Sequence, residues 1–326
     1  MTTSSTDVAG SADAPSSAPG SAPRLTAGAA GLLLGLCILW GGNLIAVKVS
    51  NRGFPPALAA AIRSAGAAAL LAAWAALRHQ RLWVSRRVTI DGMVIGALFG
   101  AEFLCMFIGV TYTSASRATI LAYTTPFWLV LGAHALFADD RLSVNKVLGL
   151  LLSFAGIVAV FGAHSSDLGP HHWLGDLLEL GAAFFWAATT LYVKRMTVRE
   201  ELTALQLLFY QLAFSAPLLL VAALVLERGR LTIAWRADSV LSLVYQTVVI
   251  AAVSYLAWFW LIQQYRVTSL GSFTFLSPLF GVILGGVLLG EELPALLWLG
   301  LALAAAGIYL VNRPPRAAAV LEAGST

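Results

Sequence analysis

Residues 116–156 read SRATILAYTTPFWLVLGAHALFADDRLSVNKVLGLLLSFAG, and residues 268–307 read TSLGSFTFLSPLFGVILGGVLLGEELPALLWLGLALAAAG. The two stretches are one pattern used twice. Pro126 follows Thr125 inside an apolar run, and Pro278 follows Ser277 in another. Each run ends in an acidic turn, Asp139-Asp140 in the first copy and Glu291-Glu292 in the second. Each turn leads into a segment with two glycines seven apart, Gly149/Gly156 and Gly300/Gly307. Working outward, Trp40 and Lys48 match Trp186 and Lys194 with the same spacing of eight. A unit of roughly 150 residues is therefore duplicated across the whole apolar part of the chain, and self-similarity of this length governs the reading of everything else.

The chain has 326 residues, of which 59% are hydrophobic and only 11% charged. Its mean hydropathy is +0.82. A water-facing domain keeps about a quarter of its residues charged, so this chain has a lipid bilayer for solvent. The net charge of +4 is spread over loops, without the basic stripe and interleaved aromatics of a nucleic-acid binder. The ten Trp suit interfacial belts and cavity walls. Cys37 and Cys105 sit in apolar segments and read as packing residues rather than a disulfide. The five His show no metal-ligand spacing, and neither a metal nor a cofactor is expected.

Residues 1–24, rich in Ser, Ala, Pro and Gly, read as a disordered tail rather than a signal peptide. Ten apolar segments follow, at about 29–49, 57–77, 90–112, 116–137, 144–162, 174–196, 203–226, 239–264, 269–289 and 294–312. Each approaches the roughly 20 residues that a helix needs to cross the hydrocarbon. Residues 25–163 hold the first repeat, 174–312 the second, and 313–326 a C-terminal tail. The fold class is an all-α membrane protein of ten transmembrane helices in two five-helix repeats. The short loops predict that successive helices are antiparallel neighbours. With both termini inside, thirteen Lys and Arg fall on the cytoplasmic side and six on the other, which favours that orientation. Five is odd, so the second repeat enters the bilayer from the side opposite to the first. Inverted repeats place a site near the midplane and let it face either side by rocking, which points to transport.

Several residues together resemble EamA-type permeases of the drug/metabolite transporter superfamily. They are Trp40-Gly41-Gly42-Asn43 with Lys48, Pro55-Pro56 with Arg63, the two proline helices, the acidic turns and the paired glycines. Asp139-Asp140 departs from the Gly-Glu usual in the first turn, whereas Gly290-Glu291 keeps it. The resemblance implies ten helices around a central cavity, both termini in the cytoplasm of a bacterial inner membrane, and export of small metabolites, often amino acids. It names no substrate.

Glu102 is the sharpest candidate for function. A carboxylate near the middle of a membrane helix costs about 2.5–3.5 kcal/mol, so it should face protein or water. It could exchange a proton or hold a substrate amine, or serve as a hydrogen-bonded structural group. Arg63 could pair with Glu102 or with a substrate carboxylate, although structural pairing or snorkelling to the interface is favoured. Trp40 and Asn43 lie one turn apart, as cavity lining or as packing groups. Tyr123 precedes Pro126, and prolines 126 and 278 should kink their helices and free carbonyls near Ala122 and Thr274. Gln246, Tyr255 and Trp258 belong to an unusually polar and aromatic helix that should line a cavity. Tyr210 and Gln211 occupy the repeat position of Arg63, which points to exposure to the cavity. Lys48 and Lys194 read as snorkelling anchors, Asp140 and Glu291 as caps of the helices that follow them, and His134 and Glu179 as lesser proton-relay candidates near helix ends. The partners expected are a small-molecule substrate, lipid and protons; oligomeric state is left open. A polytopic membrane enzyme would need a convergent catalytic constellation, of which the sequence shows none. A non-transporting sensor or scaffold is the other alternative.

Overall fold

The computed structural model describes residues 25–109, 112–113, 115–162, 170–229, 231–289 and 295–313. The tail to residue 24, the turn Glu291-Glu292, the residues from 314 onward and the side chain of Lys48 lie outside the described residues. The described residues form thirteen α-helices and one π-helical segment: α1 Ala27–Ser50, α2 Pro56–Leu77, α3 Arg86–Gly109, α4 Ala115–Ala122, α5 Thr125–Leu136, α6 Val144–Phe161, α7 His172–Arg199, α8 Ala204–Leu226, α9 Ala237–Tyr245, the π segment Gln246–Ser254, α10 Tyr255–Gln264, α11 Val267–Phe273, α12 Leu276–Leu289 and α13 Leu296–Asn312. Among the described residues, nine helical runs are long and apolar enough to cross a bilayer, and α13 is a shorter apolar helix. Large apolar side chains along their outward faces are open to the surroundings, including Leu131, Leu148, Val221 and Val253. Such a surface is stable against lipid and not against water.

Local chemistry sets the helix ends. Thr26 and Ser143 cap α1 and α6 through their hydroxyls, and Thr203 with Gln206 closes a capping box on α8. The spans that carry Pro126 and Pro278 are each divided just before the proline. One span becomes α4 and α5, the other α11 and α12. The freed carbonyls are occupied locally. The Thr125 hydroxyl donates to the Ala122 carbonyl at 2.8 Å, and the Ser277 amide donates to the Thr274 carbonyl at 3.0 Å.

Successive helices are not the principal neighbours, contrary to the expectation from loop length. The most extensive packing joins the two halves: α6 with α13, α2 and α3 with α8, α3 with α7, and α1 with α12. The closest of these seams is made by the paired glycines. A Cβ at Gly149 would meet the Gly307 carbonyl at 2.6 Å, and one at Gly156 would meet the Gly300 carbonyl at 2.7 Å. In the reverse sense, a Cβ at Gly307 would lie 2.3 Å from the Gly149 carbonyl. As numbering rises along α6 it falls along α13, so these helices are antiparallel, and the first glycine of each pair meets the second glycine of the other. On α1, a Cβ at Gly41 would meet the Gly281 amide nitrogen at 2.7 Å, which brings α1 onto the α12 backbone.

Three residues differ from expectation. Lys194 does not snorkel. Its ammonium donates to the carbonyls of Ile262, Gln263 and Tyr265 at 2.7, 3.3 and 3.1 Å. It thereby caps the C-terminus of α10, where a cation is favoured. Asp140 does not cap α6, whose start belongs to Ser143. It is 2% exposed, accepts from Lys146 Nζ at 2.5 Å, and accepts from the Thr268 amide at the start of α11 at 3.1 Å. An acid of the first half therefore caps a helix of the second. Tyr210 faces no cavity. It is fully buried, stacked on Phe214 and packed against Gly92 of α3.

Candidate functional site

Trp40 of α1 is the hub of an aromatic cluster. Its indole lies edge-on to Trp258 at 5.3 Å and to Trp186 and Tyr255 at 6.3 Å each. Trp186 stacks on Trp258 at 5.9 Å with 11° between the planes. Trp40 Nε1 donates to Ser254 Oγ at 3.0 Å, and that hydroxyl donates back to the Ile250 carbonyl at 2.6 Å. Ser254 closes the π segment, whose wider winding interrupts an otherwise α-helical span. π-segments are uncommon and tend to sit at functional places. The cluster joins three spans, one of them carrying the duplicate of Trp40, since Trp186 is its counterpart in the second repeat.

Beside the aromatic wall lie the two charges. Arg63 is 2% exposed and points inward, so the snorkelling reading fails. Its guanidinium carbon sits 4.3 Å from the centre of the Phe103 ring, a contact worth about 2 kcal/mol when desolvated. Its Nε and Nη2 are buried without hydrogen-bond partners. Glu102, adjacent in sequence to Phe103, lies within electrostatic reach of Arg63, and its Oε2 is likewise buried and unpartnered. Tyr255 is near both charges and edge-on to Phe99 at 6.1 Å. Buried polar atoms without partners are costly in a static core. Here they converge on one place, which is the pattern of a site that binds something polar.

The structure thus brings together Trp40, Trp258, Tyr255, Arg63 and Glu102. Asn43, one turn beyond Trp40, has a buried and unpartnered Oδ1. Tyr123 is half-buried close to Ser277 and Cys37, at the level where both proline spans break. Gln246 is elsewhere. It is 4% exposed, and its amide donates to the Ala46 carbonyl at 3.3 Å and to Ser50 Oγ at 2.9 Å. That is a clasp between α1 and the π segment. Trp186, Phe99 and Phe103 were not among the expected lining residues. The repeat itself carried the signal for Trp186. Glu179 lies near a helix end, yet it is 1% exposed with an unpartnered Oε1. Among the described residues, no group of three or more His, Cys, Asp and Glu could hold a metal ion.

The model of the EamA-like transporter family matches residues 28–162 and again residues 173–313. The chain is 30% identical over 293 residues to the uncharacterized transporter YvbV of Bacillus subtilis, covering 88% of this chain and 92% of that protein. It is 26% identical over 293 residues to the probable amino-acid metabolite efflux pump of Escherichia coli, covering 86% of this chain and 93% of that one. A solved crystal structure superposes with a TM-score of 0.73 over 86% of this chain and 94% of that chain, at 21% identity, and so shares its fold. With two family matches that together span both apolar halves, the chain is a multi-pass membrane transporter of the EamA-like transporter family.

Proposed function

We propose that this transporter exports a small organic metabolite, an amino acid or related compound, by alternating access between two inverted five-helix halves, with protons as the coupling ion. The antiparallel contact of α6 with α13 supports the inversion most directly. These helices are the fifth of each proposed repeat, and their glycine pairs meet reciprocally across the seam, the first of each against the second of the other. A parallel duplication would set corresponding helices parallel. Both termini lie in the cytoplasm on the charge bias of the loops, in the inner membrane of a bacterium.

The placement of Arg63 within electrostatic reach of Glu102, beside an aromatic wall, carries the substrate class. A zwitterion presents a carboxylate to the guanidinium fork and an ammonium to Glu102, with its side chain against Trp40, Trp258 and Tyr255. The same carboxylate that binds an amine can instead hold a proton, but not both at once. Substrate and proton then exclude each other, and each can return only in exchange for the other. The amino-acid efflux named for the Escherichia coli relative fits this chemistry.

The test is flux into vesicles holding the purified protein, with a mixture of radiolabelled amino acids and an imposed pH gradient. Wild-type protein should move label against the proton gradient. Glu102→Gln should bind label more weakly and respond to the gradient no more than protein-free vesicles do. A full gradient response in Glu102→Gln would remove the proton from the mechanism. No saturable flux of any amino acid would remove the substrate class.

A further inference from the structure

A second buried carboxyl lies outside the site just described. Glu179 is seven residues into α7, about 10 Å from the start of that helix. It packs on the end of α3, where a methyl added at Gly109 would come within 2.9 Å of Glu179 Oε1. Glycine at 109 leaves the space that the carboxyl occupies. One turn nearer the start of α7 is Asp176, which accepts from Thr113 Oγ1 at 2.7 Å and from Arg117 Nε at 3.2 Å. In the other direction Cys105 stands on α3, one turn before Gly109, within electrostatic reach of both Glu179 and Glu102. Asp176, Glu179 and Glu102 thus form a file along the α3–α7 seam, from the helix ends to the aromatic cluster.

We propose that this seam is the external proton path of the transporter, with Glu179 the relay between the outer surface and Glu102. The inference rests on the reading of Glu102 as the coupling group and on both termini lying inside, which puts the end of α3 and the start of α7 on the outer face. Among the described residues, the ionisable groups within electrostatic reach of Glu179 are Asp176 from its own helix and Cys105 from α3; Asp176 in turn faces Arg117 from α4 and His172, and Cys105 faces Glu102. Arg117 and Asp176 pair with each other, so Glu179 is the carboxyl free to load and unload between them and the cluster. A proton from external water binds the Glu179 carboxylate. It then passes to the Glu102 carboxylate, by way of the Cys105 thiol and water admitted to the seam. Glu179 returns to its anionic form, with one proton moved and no electrons.

The readout is infrared spectroscopy of full-length protein held in vesicles of uniform orientation, following the protonated-carboxyl band that disappears in Glu102→Gln. An acid jump outside should raise that band quickly in wild type and at least tenfold more slowly in Glu179→Gln. An acid jump inside should raise it at the same rate in both proteins, which also shows that the variant is folded. Glu179→Asp, which keeps a carboxyl, should recover most of the external rate. An unchanged external rate in Glu179→Gln overturns the relay while leaving Glu102 as the coupling group. A wild type without any Glu102 band overturns the coupling reading, and the relay with it.

Discussion

Gly307→Ala should destabilise the protein by about 3 kcal/mol, near the upper end of what an overfilled core costs. The new Cβ would lie 2.1 Å from Ser153 Oγ and 2.3 Å from the Gly149 carbonyl. The hydroxyl can rotate, but the carbonyl belongs to a helix backbone and can yield only if α6 moves away from α13. Ser153 also donates to the Ala304 carbonyl at 3.2 Å, a bond that the displacement would break. Gly35→Ala is the matching control, because a Cβ there meets nothing within 4 Å. It should be neutral or stabilising by up to about 1 kcal/mol, the helix-propensity gain of alanine over glycine. Thermal unfolding of the purified proteins in detergent, followed by tryptophan fluorescence, measures both. Equal melting temperatures for the two variants would mean that the glycine seam is not the joint between the halves.

Asp140→Ala should cost about 3–5 kcal/mol, the penalty for leaving a buried charge without its partner. Lys146 is 9% exposed and reaches Asp140 Oδ1 at 2.5 Å. The same carboxylate holds the first turn of α11 through the Thr268 amide. The variant thus leaves an ammonium in one half with the Arg141 carbonyl but no counter-charge, and an open helix start in the other. Combining it with Lys146→Met should recover most of the loss, since removing both charges of a buried pair costs far less than removing one. The double-mutant cycle on unfolding free energies reports the coupling. Additive losses in the double variant would show that the two groups do not support each other.

The span lengths were legible in the sequence because bilayer thickness dictates them, and the repeat was legible because its punctuation survives: Pro126 and Pro278, and the paired glycines. Helix neighbours were not legible. In lipid the outward and inward faces of a helix are both apolar, so polarity does not say which face meets protein. Close approach is set by missing side chains instead, as at Gly149 and Gly307, and their partners became visible only in three dimensions. The π segment left no mark in the apolar pattern; its hydroxyls Thr247 and Ser254 donate to carbonyls four residues back, which any membrane helix can do. In the candidate site, Arg63 and Glu102 stood out as charges at depth, and Trp40, Tyr255 and Trp258 as aromatics among them. Gln246 looked equally suited to a cavity, because a polar side chain in lipid must find a partner whether it binds substrate or clasps a helix. Glu179 was undervalued by distance along the chain. α7 has 28 residues, so a position near its start can still be deep in the protein.

Alternating access requires the aromatic cluster to open to both sides of the membrane in turn. Trp186→Cys in a Cys37→Ser, Cys105→Ser background puts one reactive thiol in that cluster. A membrane-impermeant maleimide should label it from either side of uniformly oriented vesicles, while the vesicles retain an entrapped small dye. Labelling from one side only, however long the exposure, would contradict alternating access, and labelling accompanied by loss of the dye would make the protein a pore.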